Sequence, residues 1–270
     1  MALGKIGQEV GEALSGVIKG AGDIVGTGIE VSRKTIIGAL HGVRDVASEV
    51  GSMATDAMAG AIDAANQVGA SVGRVAKGVV VGTIRGIGEV TTVTAGMVSD
   101  TVRAAIKGTS QAGGDVNKAA RGAAEGAIST SKEVGLSLEE GARSVAEGAM
   151  KGAQDIGGDL ASIAKNTMHG AITGTKEIGD DVMITISLAT KGMVTGANEI
   201  GADVAAVAQS AVEGAIEGAR EAGVALEEAA ATAATSAVEA AKDISEDVTK
   251  AVTKATTGTI SGVKVSIKKK

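Results

Sequence analysis

Apolar residues return along this chain at intervals of four, four and three positions, and the pattern restarts every 22 residues. Because eleven residues make three turns at about 3.67 residues per turn, positions eleven apart lie on one side of an α-helix. The pattern therefore predicts amphipathic α-helices, and it lacks the period-two alternation of a strand. Twelve units fill residues 2–265 without a residue added or lost, and they begin at Ala2, Ile24, Val46, Val68, Val90, Ala112, Val134, Ile156, Ile178, Ile200, Ala222 and Ile244.

Glycine recurs beside this apolar face, at position 15 in ten units and at position 19 in nine, and position 17 is always a large aliphatic residue. Glycines four residues apart allow two helix backbones to approach closely. We therefore predict close helix packing at these positions. The predicted packing residues are Gly38, Gly42, Gly82, Gly86, Gly148, Gly152, Gly170, Gly174, Gly192, Gly196, Gly214, Gly218, Ile18, Ile62, Ile84, Ile106, Ile128, Ile172, Ile216 and Ile260.

Two all-α architectures fit the repeat. We favour long continuous amphipathic helices packed as a bundle or coiled assembly, because most units end on an acidic residue such as Asp155, which a helix C-terminus disfavours. The alternative is an array of short antiparallel helical hairpins with one helix per unit. Position 2 is glycine in seven units and position 4 is Ser, Thr or Asp in eight, which suits a C-terminal glycine followed by an N-cap; Ser137 and Glu140 even have capping-box spacing. In both cases residues 2–265 form one repeat domain, followed by a basic tail at 266–270.

The composition argues against a conventional globular core. The chain has no Phe, Tyr, Trp, Pro or Cys, so it lacks the aromatic residues that dominate ordinary cores, and it has no disulfides or thiolate metal ligands. Each of its 41 glycines weakens a helix by about 0.5–1 kcal/mol relative to alanine. We therefore expect helix formation to depend on packing against a partner.

No candidate catalytic, metal-binding or cofactor-binding residue emerges, and we expect no enzyme. The two histidines, His41 and His169, fall on the polar side of the pattern and are expected to be solvent-exposed. The net charge is −6, with no basic stripe and no aromatic residue for base stacking, so nucleic acid is not expected as a partner. We expect neither a signal peptide nor a transmembrane segment, which favours the cytoplasm.

The repeat resembles those of late-embryogenesis-abundant proteins, synucleins, exchangeable apolipoproteins and, most of all, perilipins, which share its glycine, threonine, valine and alanine content. The segments 75–78 (VAKG) and 171–177 (AITGTKE) carry this resemblance. It would imply a helical coat on lipid droplets. The chain lacks the prolines of apolipoprotein repeats and the KTKEGV core of synucleins, and its unit is two elevens where perilipins use three.

Three functional hypotheses follow from the sequence, and a positive mean hydropathy argues against the third, a stress-protective and mostly disordered protein that folds on drying or binding. The first is a structural protein that associates with itself into a bundle or filament through Gly/Ala-mediated helix packing. The second is an amphipathic coat on lipid droplets, membranes or hydrophobic granules. The recurring glycine steps favour the first, and the wide apolar arc favours the second.

Overall fold

The computed structural model describes residues 5–18, 24–41 and 46–268, with the side chains of residues 6, 14–18 and 24 outside that description. This part of the chain is almost entirely helical. It contains α1 (Lys5–Ile18), α2 (Ile24–Leu40), α3 (Val46–Val68), α4 (Val72–Val90), α5 (Ala95–Gln111), α6 (Val116–Ser131), a 3₁₀ turn (Lys132–Val134), α7 (Leu138–Asp155), α8 (Leu160–Glu177), α9 (Val182–Glu199), α10 (Val204–Ala222), α11 (Leu226–Lys242), α12 (Glu246–Thr256), β1 (Gly258–Ile260) and β2 (Val263–Val265).

One unit of the repeat forms one helix and one tight turn, so the all-α repeat architecture is as predicted and takes the form of short helices. The long continuous helices that we favoured do not form. The helical path ends at position 2 of the unit. The seven glycines found there have a φ between 60° and 84°, a backbone conformation that other residues avoid. These glycines are Gly69, Gly113, Gly135, Gly157, Gly179, Gly201 and Gly223.

The residue two places after each turn glycine starts the next helix. The Asp159 side chain accepts a hydrogen bond from the backbone amide of Ser162 at 3.2 Å, and Asp115 and Asp203 make the equivalent contact. The capping box predicted for Ser137 and Glu140 is present, with both reciprocal bonds formed. Such caps satisfy amide groups that have no partner within the helix.

The acidic residue at the end of a unit, which argued against a helix end, is paired in several units with a cation on another helix. Asp155 is the last residue of α7 and accepts two hydrogen bonds from Arg103 of α5, at 2.6 and 2.8 Å. An unfavourable charge at a helix end costs roughly 0.3–1 kcal/mol, and an exposed ion pair returns a similar roughly 0.2–1 kcal/mol. Sequence spacing does not reveal such a partner, and this is why the preference for continuous helices was wrong.

Helices two apart in the sequence pack side by side and run parallel. Gly148 of α7 lies against Ser99 of α5, and Gly152 lies one turn later against Arg103, so the two helices run in the same direction. The most extensive contacts of each helix are with a helix two positions away. The odd-numbered helices therefore form one layer, the odd layer, and the even-numbered helices form the other, the even layer. This arrangement is a two-layer helical solenoid.

Small side chains fill the space between these helices. On α6, for example, Ala120, Ala123 and Ala127 are completely buried next to the equally buried Ile128. Alanine has the highest helix propensity and adds little volume, so helices can approach each other without losing intrinsic stability. A core built in this way needs no aromatic residue.

The last unit departs from the pattern. Helix α12 ends at Thr256, and the chain then forms an antiparallel hairpin in which Ile260 pairs with Val263. Ile260, predicted to pack on a helix, is instead a buried strand residue, because Gly258 and Gly262 adopt positive φ and end the helical path. The hairpin packs on α11, where a thirteenth helix would belong in this arrangement, and the Lys268 amide donates to Thr235 Oγ1 at 2.9 Å.

Candidate functional site

Glycines at positions 15 and 19 of a unit lie against the backbone of the helix two before. A Cβ atom added at Gly170 of α8 would collide with the carbonyl oxygen of Arg121 on α6. One added at Gly174 would lie 2.5 Å from the carbonyl oxygen of Glu125 and 3.1 Å from the Cβ of Ile128. Contacts under 3.0 Å are essentially never made by a real Cβ, so the groove on this face of α8 exists only because these residues are glycines.

The same contact recurs along the chain. At every other predicted packing glycine from Gly82 onward, an added Cβ would lie within 3.2 Å of the helix two before. These are Gly82 and Gly86 against α2, Gly148 and Gly152 against α5, Gly192 and Gly196 against α7, and Gly214 and Gly218 against α8.

A large side chain at position 17 fills the space that the later glycine leaves. At four of the position-19 glycines, an added Cβ would lie 2.8–3.2 Å from the position-17 side chain two helices earlier. Ile62, Ile84 and Ile216 occupy position 17 in other helices and are also completely buried. The side chain of Ile18 lies outside the described residues. The pairs are Ile106 with Gly152, Ile128 with Gly174, Met150 with Gly196 and Ile172 with Gly218.

Several glycines with the same role were not among the predicted residues. Gly122 meets the backbone of Gly73, and Gly78 meets the carbonyl oxygen of Val25. Both occupy position 11 of their unit, four residues before the position-15 glycine, so the four-residue spacing of glycines begins one turn earlier in these two units. Gly60, Gly108 and Gly126 pack in the same way.

Gly38 differs from the other packing glycines, because no described atom lies within 4 Å of the Cβ it would carry. Its predicted partner in the step, Gly42, lies outside the described residues. Gly38 borders an open groove of ≈ 510 Å³ between α1 and α2, lined also by Lys5, Glu9, Lys34, Thr35 and Ala39. Among the described residues, none covers this part of the packing face of α2.

A second feature is a row of ion pairs on the even layer, which we call the charged stripe. Position 10 is a cation in four successive even-layer units, at intervals of 44 residues. Each cation meets one or more carboxylates at 2.6–2.8 Å. The pairs are Arg33 with Glu89, Lys77 with Glu125 and Glu177, Arg121 with Glu221, and Lys165 with Glu217.

Burial and charge pairing oppose each other within this stripe. Burial lowers the pKa of Lys77, but hydrogen bonds to Glu125 and Glu177 outweigh it and raise the pKa above its ordinary value. Burial raises the pKa of Glu125 in spite of its contact with Lys77. The stripe is therefore partly shielded from solvent, and its charges depend on each other.

The two histidines occupy different environments. His41 is exposed, as predicted, and its Nδ1 lies 2.7 Å from the carbonyl oxygen of Ile37. His169 was also expected to be exposed, but its side chain is only 12% exposed and its Nε2 lies 2.6 Å from Glu221. The prediction failed because α10 covers the side of α8 that carries His169. Burial lowers the pKa of His169, although Glu221 favours the charged form.

Within the described part of the chain, no three His, Cys, Asp or Glu side chains gather closely enough to hold a metal ion. The same residues include no helix that combines the length and apolar character needed to cross a lipid bilayer. What the geometry offers is helix packing and a paired-charge surface.

Comparison with known proteins does not assign the chain to a family. No family model matches the sequence, and no curated protein matches it. Among solved structures, a de novo designed helical repeat protein, DHR7, is similar with a TM-score of 0.39 and 22% sequence identity, over 64% of this chain and 97% of that one. By its own architecture, the protein belongs to the class of all-α helical repeats.

Proposed function

We propose that this chain is a structural helical-repeat protein that associates with copies of itself. The observation that carries the proposal is the packing face of α2, which no described residue covers at Gly38. On every later even-layer helix up to α10, the equivalent face is covered by the preceding even-layer helix. The equivalent glycines Gly82, Gly126, Gly170 and Gly214 all contact the preceding even-layer helix.

A second copy of the chain suits the groove between α1 and α2. The groove carries both signs of charge, with Glu9 on α1 and Lys5 and Lys34 flanking it. In a two-fold interface each copy presents the same surface to the other, so the cations of one can face the carboxylate of its partner. A lone apolar or singly charged ligand would leave part of this lining unpaired.

The opposite end of the solenoid favours a closed pair over an open filament. Ile260, Val263 and Val265 of the hairpin are buried, and the hairpin covers part of α11. Head-to-tail growth would need the outer faces of both α11 and α12 to receive α1 and α2 of the next copy, and the hairpin occupies the α11 half of that surface. Association through the α1–α2 ends therefore gives a bundle of two solenoids.

The lipid-coat hypothesis finds less support in the geometry. The apolar arc that would face lipid lies between packed helices, and among the described residues the exposed large hydrophobic side chains are Val90 and Ile184. Coating a droplet would require the two layers to separate. We also propose that this role is structural and non-catalytic, because the described residues offer helix packing and paired surface charges.

Sedimentation velocity across a range of concentrations tests the proposal. We expect dimers that dissociate on dilution, and we expect Gly38→Leu to abolish them, because a leucine there fills the groove. Gly51→Leu is the matched control, since Gly51 also has nothing within 4 Å and lies on α3, away from the groove. A protein that stays monomeric at every concentration, or a dimer that persists in Gly38→Leu, would contradict the proposal. Flotation with lipid vesicles in place of dimerisation would support the coat.

A further inference from the structure

Two ion pairs in the charged stripe skip a helix. Lys77 on α4 contacts Glu177 at the end of α8 at 2.6 Å, although α6 lies between those helices in the even layer. Arg121 on α6 contacts Glu221 on α10 at 2.7 Å, across α8. In both pairs the partners are 100 residues apart. In both pairs the cation occupies position 10 of its unit and the carboxylate occupies position 22.

Each skipping pair also includes the helix that it crosses. The Lys77 ammonium group contacts Glu125 on the intervening α6 at 2.8 Å, so one cation joins α4, α6 and α8. The Glu221 carboxylate contacts His169 on the intervening α8 at 2.6 Å, so one anion joins α6, α8 and α10. We call these two three-helix clusters the clasps.

The odd layer has no such connection among its described residues. Its ion pairs between helices join only helices two apart, as in Arg103 of α5 with Asp155 of α7 and Lys191 of α9 with Glu239 of α11. Packed helices have axes roughly 8–10 Å apart, so helices separated by one other helix would lie roughly 16–20 Å apart in a flat layer. A direct contact over that span needs both long side chains to extend toward each other over the intervening helix, so the pair resists any bend that moves the outer helices apart on this side.

We propose that the two clasps set the curvature of the solenoid and make that curvature sensitive to ionic strength. In a solenoid each repeat touches only its neighbours, so bending is resisted by few contacts. The clasps act directly on bending because they connect second neighbours within one layer. The clasp side chains keep solvent access, from 12% for His169 to 54% for Glu221, so dissolved salt can screen them.

Distance measurements on the full-length protein test this inference. The chain has no native cysteine, so Arg74→Cys on α4 and Gln209→Cys on α10 would carry two spin labels at exposed positions that span both clasps. We expect Glu177→Gln with Glu221→Gln to shift the label-to-label distances to longer values at low salt. We also expect salt to lengthen the distances in the parent protein toward those of this variant, and to have little effect on the variant.

Glu139→Gln with Glu147→Gln is the matched control. It removes the same charge, but these carboxylates pair with Arg143 and Lys151 within α7 and connect no other helix. The control should keep the parent distances and the parent response to salt. Circular dichroism checks that helix content is unchanged in every variant. Equal distances in the clasp variant and the control, or a parent protein whose distances ignore salt, would overturn the inference.

Discussion

At the scale of single residues, a glycine within these helices helps the fold only where another backbone touches it. Gly170→Ala should destabilise the protein by about 1–3 kcal/mol, because its Cβ would collide with the carbonyl oxygen of Arg121. Gly51→Ala should instead stabilise it by about 0.5–1 kcal/mol, since nothing lies within 4 Å and alanine is the better helix former. Urea unfolding measures both values. Equal effects would mean that backbone contact is unimportant at Gly170.

A second residue-scale prediction concerns His169 and pH. Because burial lowers its pKa in the folded protein, folding favours the neutral ring. That contribution is complete above the unfolded pKa of about 6.5 and is lost as the pH falls through the lower folded value. Stability should therefore decrease below about pH 6.5 more steeply in the parent protein than in His169→Gln.

Urea midpoints measured at several pH values between 7.5 and 5 would show this difference. The carboxylate of Glu221 does not confuse the comparison, because its pKa lies below the ordinary value of 4.5 and its own loss of stability falls at lower pH. Parallel pH profiles for the two proteins would contradict a buried, neutral His169.

At the scale of one helix and its turn, the glycine at position 2 decides where each helix ends. Gly179 has a φ of 66° and open space around its missing Cβ, so only backbone strain opposes a side chain there. Gly179→Ala should cost roughly 1–2 kcal/mol, the penalty of a left-handed conformation. Gly179→Asn should cost less, because asparagine tolerates this conformation better. Urea unfolding compares the two, and equal losses would point to a cause other than φ.

The sequence predicted most of the element-scale structure and failed where a distant partner decides the outcome. The Gly and N-cap positions already defined the helix-and-turn unit, and the capping box at Ser137 and Glu140 formed as its spacing suggested. The preference for continuous helices failed because Asp155 is paired with Arg103, which lies 52 residues away. Periodicity describes one helix at a time and contains no information about which helix will neutralise its end.

For the packing residues too, the sequence predicted the local feature and not the distant partner. A glycine step marks a face, and Gly170 and Gly174 indeed meet another backbone. The partner helix could not be read from the repeat, because every unit offers the same face. Ile260 kept the aliphatic pattern of position 17 but entered a strand, where the β-branched residues between Gly258 and Val265 were the available signal.

At the scale of the whole molecule, a solenoid must protect both ends, because every internal helix presents a surface suited to another copy of itself. The C-terminal end uses the hairpin, whose inward side chains Val263 and Val265 are buried while Lys264 between them is exposed. The lysine on the outer side of this short strand also discourages pairing with another strand. The hairpin therefore serves as a cap in place of a thirteenth helix.

Releasing this cap should change how the protein assembles. Val263→Ser with Val265→Ser removes the apolar contacts of the hairpin and should expose the face of α11. With an uncovered face at each end, the solenoid could add copies head to tail, and such heterologous contacts do not close on themselves. We expect light scattering to report particles that grow with protein concentration, beyond the dimer expected of the parent chain. Lys264→Ser changes the same strand on its exposed side and should leave assembly unchanged. If particles grew in both variants, or in neither, the hairpin would not be what stops head-to-tail assembly.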